Sequence, residues 1–83
     1  MTYRIDTMKE AEGVVLAFQG LLHESALAEL RERLAATKTP VHVVLKVGTE
    51  VDPACLGDLR RLDAASVSAE SPFLARWLAE EPS

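Results

Sequence analysis

The most reactive side chain in this sequence is its single cysteine, Cys55, which follows Asp52, Pro53 and Ala54 at the predicted start of a helix. The positive end of a helix dipole, with its unpaired backbone N–H groups, lowers the pKa of a thiol, as a cysteine nucleophile requires. Against this, Asp52 places a negative charge at the same end, no histidine is adjacent, and Cys55 lies on an apolar stripe. We therefore interpret Cys55 as a buried structural cysteine, and a thiol-based enzyme or redox sensor remains an alternative.

The other side chains capable of catalysis or metal binding do not form a recognisable motif. His23, His42 and Cys55 lack the short ligand spacing of zinc sites, so we expect no metal and no cofactor. The serines have no nucleophile-elbow context, the carboxylates are not paired, and no glycine-rich phosphate loop is present. The chain is therefore not expected to be an enzyme. His23 is expected at the surface before the first helix, and His42 is expected to point out of its strand or to hydrogen-bond at the sheet edge.

The composition favours one small acidic domain, residues 1–83. Of the 83 residues, 48% are hydrophobic but only 5% are aromatic, so the core must consist mainly of Leu, Val and Ala. A net charge of -4 with scattered basic residues does not favour a nucleic-acid partner. We expect a soluble cytoplasmic protein without membrane insertion, because no signal-peptide pattern, long apolar run or cysteine pair is present.

Hydrophobic periodicity predicts four strands. Residues 3–7 alternate as in an edge strand, and 13–20 form a more central strand that is close enough to pair with it as a hairpin. The third strand, 41–47, is apolar on both faces and follows a helix, as is typical of an inner parallel strand. Residues 65–69 form a short fourth strand.

Helical spacing and capping residues predict three helices. The first covers 25–37, with Ser25 as its N-cap and Glu29 and Arg33 as an i, i+4 pair on its solvent side. The second covers 53–63, with Asp52 as its N-cap and Pro53 in the first position. The third begins at the Ser-Pro pair 71–72. Its apolar face is expected to pack on the sheet or, alternatively, to anchor a partner, and comprises Phe73, Leu74, Trp77 and Leu78.

The region from β-branched strand to helix, 43–59, resembles the centre of the STAS domains, the family of anti-sigma-factor antagonists. Their pattern is an apolar strand, Asp-Ser-Ser-Gly-Leu-Gly, and an apolar helix, and this chain has Asp52, Leu56 and Gly57 at the matching positions. It departs from the pattern where the two serines and the first glycine are replaced by Pro53, Ala54 and Cys55. The resemblance covers about Val14 to Leu62 and implies an α/β fold of order β-β-α-β-α-β-α, a small mixed four-stranded sheet with about three helices.

The resemblance also implies a function. In STAS antagonists this corner docks onto a partner, typically a kinase-fold anti-sigma factor, and phosphorylation of a serine releases it. We call residues 48–57 the corner and predict that partner-binding residues lie in it: Gly48, Thr49, Glu50, Asp52, Pro53, Ala54 and Gly57. Because Ala54 occupies the position of the modified serine, the corner is a degenerate phosphosite, and we expect an interaction module that phosphorylation there does not switch.

A structural or assembly role is the other alternative. In that case the first strand would pair with its copy in a second chain, or the helix carrying Trp77 would pack across a two-fold axis to form a homodimer.

Overall fold

The fold is a five-stranded mixed sheet with three helices packed on one face, as seen in a computed structural model that describes residues 3–62 and 64–79. The strands are β1 (Tyr3–Glu10), β2 (Gly13–Leu22), β3 (Val41–Leu45), β4 (Glu50–Val51) and β5 (Ser66–Ala69). The helices are α1 (Glu24–Ala36), α2 (Leu56–Arg60), which follows a 3-10 turn over Pro53–Cys55, and α3 (Pro72–Ala79). The predicted mixed α/β class is confirmed.

The strand order is β1-β2-β3-β5, with β4 joined separately to β2. β1 and β2 form the predicted antiparallel hairpin, and β2, β3 and β5 run parallel to one another. β3 is therefore an inner parallel strand, as its apolar sequence predicts. β4 is parallel to β2 and pairs with its last two residues, Leu21 and Leu22.

The core lies between the helices and one face of the sheet. Phe18, Leu22, Leu30, Leu45 and Leu59 are completely buried and belong to one cluster. Because side chains alternate between the faces of a strand, Val15, Ala17 and Val44 point the other way, and none of the described helices packs over them. No helix in the described ranges is long and apolar enough to cross a membrane.

The expected number of four strands is wrong, because β4 is a fifth. It comprises only two residues and exists because the chain after β3 meets the end of β2, a contact between distant segments that no local pattern encodes. β1 and β2 also extend beyond the predicted bounds, to Glu10 and Leu22, and β3 ends early, at Leu45. β1 extends by pairing with the start of β2 across the hairpin, and β2 extends by pairing with the distant strand β4.

Two helix predictions also need correction. Helix α1 begins at Glu24, and His23, not Ser25, occupies the N-cap position, without a side-chain cap hydrogen bond. The predicted helix 53–63 is a 3-10 turn followed by five α-helical residues, and residue 63 lies outside the described ranges. The Glu29–Arg33 pair on α1 is confirmed, with 3.2 Å between Arg33 Nη2 and Glu29 Oε2.

Candidate functional site

The corner begins with a tight turn after β3. The Lys46 N–H donates to the Phe18 carbonyl at 2.8 Å, and the Thr49 N–H donates to the Lys46 carbonyl at 3.1 Å. Gly48 closes the turn with φ = +92°, a left-handed conformation that favours glycine. The local sequence therefore specifies the bend that separates β3 from β4.

Side chains from two neighbouring strand segments hold this turn in place. Gln19 Nε2 donates to the Val47 carbonyl at 3.0 Å, and the Val47 N–H donates to Glu70 Oε1 at 3.0 Å. Thr49 Oγ1 donates to the Phe18 carbonyl at 3.1 Å. Sequence reasoning missed Gln19 and Glu70 as positioning residues, because each is more than twenty residues away from the group that it contacts.

Asp52 caps the helical segment, as predicted. Its Oδ1 accepts a hydrogen bond from the Ala54 N–H at 3.0 Å, and Pro53 follows it in the first turn. Its backbone is also fixed, since its N–H donates to the Leu22 carbonyl at 2.9 Å and its carbonyl accepts from the Cys55 N–H at 2.8 Å. The corner is thus a rigid strand-to-helix connection.

The predicted partner-binding residues occupy one accessible segment of chain. Gly48, Glu50, Pro53, Ala54 and Gly57 are exposed, whereas Thr49 and Asp52 are half-buried. A Cβ added to Gly57 would meet no atom within 4 Å. A visiting molecule could therefore reach the corner, which lies where the parallel strands β3 and β5 end, the usual location of binding sites in α/β sheets.

Two apolar side chains near the corner are unusually exposed. Val47 is 65% exposed and Phe73 is 75% exposed, and Glu70, three residues before Phe73, hydrogen-bonds the Val47 N–H. The segment that leads into α3 therefore lies beside Val47, at the end of the sheet where β3 and β5 terminate. Sequence reasoning did not identify Val47.

The expectation that Phe73 packs in the core is wrong. The helix presents Leu74, which is 6% exposed, to the core, with Trp77 and Leu78 partly buried beside it. These three residues are spaced i, i+3 and i+4, and Phe73, four residues before Trp77, lies at the margin of the same stripe. Helical spacing alone therefore did not predict its exposure. The Trp77 ring makes a cation–π contact within the chain, because the Arg60 guanidinium carbon lies 4.6 Å from its ring centroid.

The corner is acidic. Residues 48–57 contain two acidic side chains, Glu50 and Asp52, and no basic one, and Lys46 stands two residues before them. Glu70 adds a third carboxylate beside Val47. Such a surface is complementary to apolar and basic groups.

Cys55 is 5% exposed and belongs to the core cluster. Burial raises the pKa of its thiol, and the carboxylates of Asp52 and Asp58 raise it further. A raised pKa leaves little thiolate at neutral pH, which does not favour a nucleophilic role.

The two histidine side chains contact residues outside the corner. His42 Nδ1 and Ser66 Oγ share a hydrogen bond of 2.7 Å between β3 and β5, the last strand in the strand order, which matches the expected hydrogen bond at the sheet edge. His23 is half-buried, with its ring edge towards Tyr3 at a centroid distance of 6.4 Å. Within residues 3–62 and 64–79, no three His, Cys, Asp or Glu side chains are grouped so that they could hold a metal ion.

Comparison with known proteins gives no assignment: no family model matches the chain, and no curated protein matches it.

Proposed function

We propose that this chain is a STAS-like, non-catalytic interaction module of the anti-sigma-factor antagonist type, acting in cytoplasmic transcriptional signalling through the corner. The observation that carries the proposal is an exposed, rigidly held strand-to-helix connection with two exposed apolar side chains beside it. Exposed apolar groups next to a fixed backbone are typical of protein interfaces, because little conformational entropy is lost when a partner binds.

Within this proposal, phosphorylation does not release the partner from the corner. Ala54 has no hydroxyl, and Thr49 carries the only hydroxyl in residues 48–57. The Thr49 hydroxyl is engaged with the Phe18 carbonyl at 3.1 Å and is half-buried. The module is therefore permanently competent to bind or is regulated through another subunit.

The first test is binding to a kinase-fold anti-sigma factor from the same genome, measured by isothermal titration calorimetry. Val47→Asp and Phe73→Asp should each weaken binding by at least about 30-fold, the effect of losing a hot spot of about 2 kcal/mol. Glu32→Ala, on the exposed side of α1, is the matched control and should leave the affinity unchanged. Unchanged affinity in both the Val47 and the Phe73 variant would exclude this surface.

The second test restores the missing hydroxyl. With ATP and the same kinase-fold partner, Ala54→Ser should become phosphorylated and lose affinity, because the phosphate adds roughly two negative charges to an already acidic surface. The wild-type corner should acquire no phosphate under the same conditions, as measured by peptide mass spectrometry. Phosphate on residues 48–57 of the wild-type chain would contradict the proposal.

A further inference from the structure

Strand β1 offers a long unpaired edge. It comprises eight residues, Tyr3–Glu10, and within the described ranges it pairs only with β2. The backbone N–H and C=O groups on its outer side can therefore pair with another strand. Edges of this length invite such pairing unless their side chains oppose it.

The charges on β1 follow a simple pattern. Arg4 and Asp6 lie on the sheet face that carries no helix, and Arg4 Nε lies 3.1 Å from Asp6 Oδ1. Both side chains are well exposed, at 75% and 49%. Ile5 lies between them in sequence and points to the opposite face, beside the core.

We propose that β1 pairs antiparallel with β1 of a second copy of this chain, about a two-fold axis that passes beside Ile5. In this register Arg4 lies opposite Asp6 of the partner subunit, and each Ile5 lies opposite its own copy. Directly opposite side chains in such a pair have Cβ atoms about 4.5–5.5 Å apart, within reach of an ion pair. Each of the four charges then neighbours an opposite charge both along its own strand and across the axis.

The neighbouring registers are less favourable. An axis at Asp6 would place the two Asp6 carboxylates directly opposite each other, which is destabilising. An axis at Thr7 would place Arg4 opposite Glu10 of the partner subunit, but it would leave Asp6 opposite Met8 of the partner subunit and diagonal to the second Asp6. Among these three registers, only the one centred on Ile5 places an opposite charge across from both Arg4 and Asp6. Charge complementarity therefore favours a second copy as the occupant and this register.

The proposed dimer contact and the corner share no residue, because no residue of β1 belongs to residues 48–57. The inference therefore does not rest on the proposed function. A strand-edge contact of this kind is small, and so we expect weak association that requires a high protein concentration.

Sedimentation equilibrium over a concentration series tests the proposal. The weight-average mass of the wild-type chain should rise above the monomer value of 9.0 kDa towards twice that value. Arg4→Asp makes all four charges negative, and Asp6→Arg makes all four positive. Each variant alone should self-associate at least about tenfold more weakly, because like charges then lie opposite one another.

Mixing the two variants provides the decisive step. In the mixed pair every opposite charge is again complementary, so the mixture should regain the wild-type mass although each component alone does not. Lys38→Asp and Glu32→Arg, at exposed positions outside β1, are controls with the same changes in net charge. Circular dichroism melts establish that the variants are folded.

Three results would overturn the proposal: a wild-type chain that stays monomeric at the highest concentration, single reversals that leave the mass unchanged, or a mixture of folded variants that fails to associate.

Discussion

Replacing Asp52 tests whether the cap of the corner stabilises the fold. Asp52→Ala removes the carboxylate oxygen that accepts the Ala54 N–H at 3.0 Å, leaving that donor without its protein partner. The hydrogen bonds of the Asp52 backbone, to Leu22 and Cys55, involve no side-chain atom and remain. The change therefore isolates a single capping interaction.

The expected cost follows from that single bond. Loss of an N-cap side chain typically destabilises a protein by about 1 kcal/mol. The helical segment is short, but it places Cys55 and the fully buried Leu59 in the core. Fraying at the cap should therefore lower the free energy of global unfolding. For a domain of this size, about 1 kcal/mol corresponds to a fall in Tm of about 4–8 °C.

The assay is thermal and urea unfolding followed by circular dichroism, with Asp52→Asn as the matched variant. Asparagine caps helices about as well as aspartate, so Asp52→Asn should cost less than half as much as Asp52→Ala. Equal losses in both variants would show that charge, and not the capping hydrogen bond, stabilises the corner. No loss in either variant would refute the reasoning altogether.

Three further predictions concern the remaining fold. Gly13→Ala should destabilise the chain by about 1–3 kcal/mol, because the added Cβ would collide with the Pro40 carbonyl oxygen. Gly57→Ala has open space for its Cβ and should stabilise the chain by about 0.4–1 kcal/mol. Urea titrations of the two variants measure both changes. Cys55 should react with a thiol reagent only slowly under native conditions and quickly in denaturant, and fast native labelling would contradict its burial. Because the folded pKa of Cys55 is raised above 9.0, its contribution to stability is complete below pH 9.0 and is lost as the pH rises through the folded pKa. Urea unfolding between about pH 8 and pH 10 should show this loss in the wild type and a flatter profile in Cys55→Ala.

Local patterns in the sequence determined most elements of this protein. The alternation in β1, the apolar inner strand β3 and the helical spacing of α1 arise from the periodicity of strands and helices, which is a property of neighbouring residues. The Asp52 cap was predictable for the same reason, because its bond spans two residues.

Only the tertiary structure decided the remainder. The pairing of β4 with β2, the support of Val47 by Gln19 and Glu70, and the exposure of Phe73 all depend on segments that are distant in sequence. Periodicity tells which side chains share a face, but not how far a neighbouring element extends to cover them. That extent depends on packing of the whole chain, and it is what leaves the corner and the edge of β1 accessible.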